Sequence, residues 1–119
     1  MPARLRPADP VVVAAALARV ADGEADRADL KLLVKHYLAV LEARAPGRSV
    51  EVRVPPFAAV QVLEGVRHTR GTPPAVVETD AATWVALATG ALAWADAVAA
   101  GQVRASGERT DLAPYLPLG

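Results

Sequence analysis

At residue 50 the spacing of apolar side chains changes from a helical period to a period of two. Upstream, Val13, Leu17 and Val20 recur at i, i+4 and i+7. Leu30, Leu33, Val34, Tyr37, Leu38 and Leu41 then fall on one face of a longer amphipathic helix. From residue 50, Val50, Val52 and Val54 alternate with Glu51 and Arg53, the pattern of a half-buried strand. A chain that changes period in this way segregates its helices from its strands. That points to an α+β fold with helices packed on one face of a largely antiparallel sheet.

Local signals set the boundaries. Asp9 with Pro10 starts a first helix over residues 10–22, which stops at Gly23. Asp26 caps the second helix, Asp29 lies in its first turn, and Pro46-Gly47 ends it. Pro55-Pro56 closes the first strand, and Phe57 to Glu64 reads as the second. The two prolines argue against a two-residue hairpin turn, which needs positive φ. Arg67 to Arg70 reads as a short edge strand and Ala75 to Glu78 as another. Thr79 or Asp80 caps a third helix that ends at Gly90; a fourth carries Trp94 and Val98 and ends at Gly101. Gln102 to Ser106 is a last strand before a C-terminal segment. Residues 1–9 form an arm, and 10–119 a single domain with no repeat or linker.

Composition excludes several classes of function. Thirteen basic residues balance thirteen acidic ones, so the chain lacks the basic footprint of a general nucleic-acid binder or a polybasic membrane-surface protein. There is no cysteine, hence no disulfide, Cys-based zinc site or thiol nucleophile. The longest apolar run, Val11 to Ala18, is far short of the roughly 20 residues of a spanning helix. With Asp9-Pro10 before it and no small-residue cleavage site after it, the run reads as a mature helix rather than a signal peptide, which predicts a cytoplasmic protein. Alanine occurs 27 times, arginine outnumbers lysine 11 to 2, and isoleucine and asparagine are absent, a usage expected of a GC-rich bacterial genome.

Catalytic motifs are missing: there is no phosphate-binding glycine loop, no nucleophile elbow and no metalloprotease signature. His36 reads as a helix-surface residue beside the apolar stripe, with no further metal ligands at fixed spacing. The segment Arg67-His68-Thr69-Arg70-Gly71 has two readings. Its arginines hold an anionic head group, with His68 as a pH-dependent donor, or they are the charged face of a protected edge strand. Trp84 and Trp94 likewise either anchor helices on the sheet or line an apolar cavity left by alanine-rich helices.

Three stretches, Ala75 to Asp80, Trp84 to Gly90 and Trp94 to Gly107, are similar in order and kind to the C-terminal half of sterol carrier protein domains. Ser49 to Phe57, Arg67 to Pro74 and Leu116-Pro117-Leu118 resemble the bacterial branch of that family. The resemblance covers about residues 10–118. It implies a sheet of about five strands covered by helices, with an apolar tunnel between the layers that holds lipid without chemistry. One phenylalanine and many alanines stand where the lipid carriers have larger apolar side chains. The expectation is a protein that is not an enzyme, uses no cofactor or metal, and binds a fatty acyl chain or other lipid. Its cavity wall would be Val60, Val62, Trp84, Leu87, Trp94 and Val98, with Arg67, His68 and Arg70 at the mouth. The alternative is a protein-interaction or enzyme-accessory module with a filled interior.

Overall fold

A computed structural model of the chain describes residues 5–65, 75–107 and 110–119. Helix α1 (Pro10–Ala21) starts where Asp9 accepts a hydrogen bond from the Val11 N–H, and Pro10 occupies its first position. Helix α2 (Arg27–Arg44) opens with a reciprocal cap: the Asp26 carboxylate accepts from the Asp29 N–H at 2.9 Å, and the Asp29 carboxylate from the Asp26 N–H at 3.2 Å. Four orphan donors are a cost at every helix start, and this pairing satisfies two of them. At Gly47 an added Cβ would sit 2.0 Å from the Leu63 carbonyl oxygen, so no side chain fits where the chain turns back toward the sheet.

Four strands follow among the described residues: β1 (Val50–Val54), β2 (Ala58–Val62), β3 (Ala75–Thr79) and β4 (Val103–Ser106), in spatial order β2-β1-β3-β4. A three-residue loop, Pro55-Pro56-Phe57, joins β1 to β2, closed by the Phe57 N–H on the Val54 carbonyl. The second strand is shorter than its apolar stretch suggests, because Leu63 leaves the strand conformation with φ at +66°.

The sheet differs from expectation in two respects. It has four described strands rather than about five; the Arg67 to Arg70 stretch lies outside the described residues. It is also mixed. The outer pairings, β1 with β2 and β3 with β4, are antiparallel, but the central β1–β3 pairing is parallel, with Val52 opposite Val77. The reason is topological: β2 ends beside Val50 on one side of β1, and β3 begins beside Val50 on the other, so β3 runs in the direction of β1.

Val50, Val52, Val54, Val60, Val62, Val77 and Val103 form the buried face of the sheet. Glu51, Arg53, Gln61, Glu78 and Arg104 alternate with them and take the opposite face. Helices α2 and α3 (Ala81–Thr89) fill the core with Leu33, Leu38, Leu41, Trp84 and Leu87. Helix α4 (Trp94–Ala99) adds Ala97. The C-terminal tail closes the layer. Leu112 and Leu118 are buried, the Leu118 N–H bonds the Ala88 carbonyl at 2.7 Å, and Arg44 donates to the carbonyls of Pro117 and Leu118.

Candidate ligand groove

Helix α3 is apolar on more than one face, and the two faces carry side chains of different size. Trp84, Leu87 and Ala88 point into the core. Ala82, Val85, Ala86 and Thr89 recur at i, i+3, i+4 and i+7 and form a second stripe. Opposite this stripe stand Leu17, Val20 and Ala21 of α1, with Gly23 and Ala25 of the following loop. Leu30 of α2 also lines the space, and Ala91 closes one end. Most of these side chains are small. The helices are held apart by their packing on α2, so the space between α1 and α3 is not filled. The result is an open groove of about 520 Å³.

The lining carries no charge. Its one polar side chain, Thr89, donates its hydroxyl to the Val85 carbonyl at 2.9 Å, with Ala86 as a longer second acceptor at 3.3 Å. The hydroxyl is therefore satisfied within its own helix. Such a surface offers a ligand dispersion and desolvation but no hydrogen bonds. A second depression, also about 520 Å³, lies at the carboxyl ends of β1 and β3 and is polar, with Glu78, Asp80, Gln102 and Arg104 on its walls.

Beside the packing of Val13 and Ala16 in the core, two polar contacts tie α1, one wall of the groove, and the residues before it to α2. Near its C-terminal end Arg19 makes a paired hydrogen bond to Asp29, at 2.7 and 2.9 Å. These bonds hold the Asp29 carboxyl below the usual carboxylate range, against a burial that would raise it. Just before its N-terminal end, the Ala8 N–H donates to His36 Nδ1 at 2.9 Å. His36 is half-buried, its ring stands edge-on to Tyr37, and burial pushes its pKa below the ordinary imidazole value.

The residues expected to form the cavity wall lie elsewhere. Val60, Val62, Trp84 and Leu87 come together in the packed core, none more than 7% exposed. Trp94 packs half-buried against its edge, and Val98 is 46% exposed on α4. None of the six lines the groove. Arg67, His68 and Arg70 lie outside the described residues. The buried indole Nε1–H of Trp84 has no hydrogen-bond partner among the described residues. Among the described residues no three His, Asp or Glu side chains converge as a metal site would need, and no helix is long and apolar enough to cross a membrane. The sequence shows Leu17, Val20 and Leu30 as apolar stripe residues but not as the lining of a groove. The available signal was the second apolar stripe on α3, behind the one anchored by Trp84.

Comparison with known families places this architecture. Residues 26–118 match the family described as bacterial SCP ortholog, from the N-cap of α2 to the penultimate residue, so α1 precedes the matched stretch. No curated protein matches the chain. A match over this much of the chain, on an α+β frame of helices and a four-stranded mixed sheet, shows that the chain belongs to the bacterial sterol carrier protein family.

Proposed function

We propose that the protein is a non-catalytic cytoplasmic carrier that takes the hydrocarbon chain of a fatty acid or other lipid into the groove between α1, α2 and α3. The observation that carries this reading is the groove's chemistry: an uncharged space whose only polar side chain is already bonded to its own helix. Its size, about 520 Å³, falls within the range of about 300–1,000 Å³ in which small-molecule sites lie. Each methylene removed from water contributes about 0.8 kcal/mol, so ten offer roughly 8 kcal/mol before ordering costs. Membership of the family supports lipid binding, and carriers of this kind are generally non-catalytic. The polar head group is assigned to Arg67, His68 and Arg70, with Arg70 beside Gly71 as the residue that meets an anion.

A second reading, a protein-interaction or enzyme-accessory module, is favoured by one observation: Val11 on the outer face of α1 is 78% exposed. Displacement of a fluorescent fatty acid separates the two, together with native mass spectrometry of the freshly purified protein. The carrier retains a lipid adduct and binds the probe, and Ala86→Trp, which fills the groove, abolishes binding while leaving the fold intact. Absence of both adduct and probe binding favours the interaction module. For the head group, Arg70→Ala weakens a fatty acid by about 1–3 kcal/mol, the range for a charge-assisted hydrogen bond. It leaves a neutral ligand of the same chain length nearly unchanged.

A further inference from the structure

The N-terminal arm is held to the domain by an acceptor that exists only in the neutral form of its side chain. His36 Nδ1 accepts from the Ala8 N–H at 2.9 Å. Leu5 and Ala8 are half-buried against the core on the same short segment. Directly after Ala8 comes Asp9, the N-cap of α1, so the arm and the first turn of that helix are docked together. An imidazolium has a donor on each nitrogen. Once protonated, His36 would present an N–H to the Ala8 N–H, and the bond cannot form.

We propose that His36 is an acid-released latch: with its ring neutral it holds the arm, Leu5 to Ala8, on α2, and with its ring protonated it releases it. The latch does not rest on the groove reading above, because the groove is walled by Leu17, Val20 and Ala21 at the end of α1 that Arg19 holds.

The surroundings of the ring suit this role. Its neighbours one turn away on α2 are Leu32, Leu33, Ala39 and Val40, none charged. Lys35 adjoins it in the chain. From the arm, Arg6 is exposed and Asp9 turns its carboxylate to the Val11 N–H. Tyr37 meets the ring edge-on and is itself held neutral, since burial raises its pKa. Among the described residues no carboxylate bonds the ring to stabilise its cation, and burial lowers its pKa. A histidine shifted in this direction contributes its full stability above about pH 6.5 and loses it as pH falls through the lowered folded-state value. Helix α1 itself stays on α2: Val13 and Ala16 are buried in the core, and the hydrogen bonds from Arg19 hold the Asp29 carboxyl below the usual carboxylate range. Mild acid thus frees the arm while the helix stays fixed.

The test is amide exchange and ring titration by NMR on the full chain from pH 8 to pH 4.5, with no ligand present. The Ala8 protection factor is expected to fall about threefold to tenfold, the equilibrium worth of one hydrogen bond, with the same midpoint as the His36 ring. In His36→Asn, whose side-chain oxygen accepts without titrating, protection stays pH-independent. In His36→Phe it is low at every pH. Ala8 protection that does not change across the His36 titration overturns the latch.

Discussion

The two faces of α3 make opposite use of similar hydrophobicity. On the face toward the sheet, Trp84 and Leu87 fill the space completely and are 1% exposed. On the face toward α1, Ala82 and Ala86 stand where large side chains would be needed to reach the opposite helix, and a groove remains. Apolar character determines that both faces avoid water, but side-chain volume determines which of them closes. A tight interior tolerates little loss of volume, whereas the groove accepts added volume at the expense of its vacancy.

That contrast is sharpest in a pair of substitutions. Trp84→Ala removes the largest buried side chain and should cost about 3–5 kcal/mol, measured by urea unfolding. Ala86→Trp on the opposite face should change stability by less than about 1 kcal/mol while blocking the groove. Comparable destabilisation by the two would mean that the groove is packed in solution and would erase the distinction between the faces.

The next effect is smaller and tests what orients α3. Asp80 caps it twice, accepting from the Thr83 N–H and from the Thr83 hydroxyl, both at 2.8 Å. Asp80→Ala should cost about 1 kcal/mol in the same unfolding measurement. The loss should be accompanied by weaker probe binding, since both faces of the helix depend on its start.

The smallest effect concerns the opposite wall. Asp29 is held below the usual carboxylate range by Arg19, so the pair contributes stability above about pH 3.9, the unfolded value, and loses it as pH falls through the lowered one. Arg19→Gln should move the Asp29 titration upward, read by carboxyl NMR, with little change in melting temperature at pH 7, because Arg19 is largely exposed. An unmoved titration would show that Arg19 does not hold this wall in solution.

Local features of the fold were legible in the sequence, and those set by distant neighbours were not. The Asp26 cap of α2 is visible because it acts within its own first turn, and the structure adds the return bond from the Asp26 N–H to Asp29. The buried valines of β1 follow from a period of two. The parallel pairing of β1 with β3 depends on where the chain crosses after β2, and no residue within either strand encodes it. The groove is harder still to read. Ala82 and Ala86 have the same appearance in a sequence whether a neighbouring helix sits against them or stands off. Trp84 and Trp94 draw attention as cavity linings through their size, yet large side chains fill a core, and the space lies where small ones meet. The identity of the frame was recognisable from the ordered stretches between Ser49 and Leu118, which lie within the matched residues 26–118.

Which side of α3 receives a hydrocarbon chain is measured directly by intermolecular NOEs from a fatty acid to the methyl-labelled protein. The groove predicts contacts from the acyl chain to the methyls of Leu17, Val20, Leu30 and Val85, with Val60, Val62 and Leu87 silent. Contacts to Val60, Val62 and Leu87 instead would show that the interior opens to take the ligand, and would contradict the groove as the binding site.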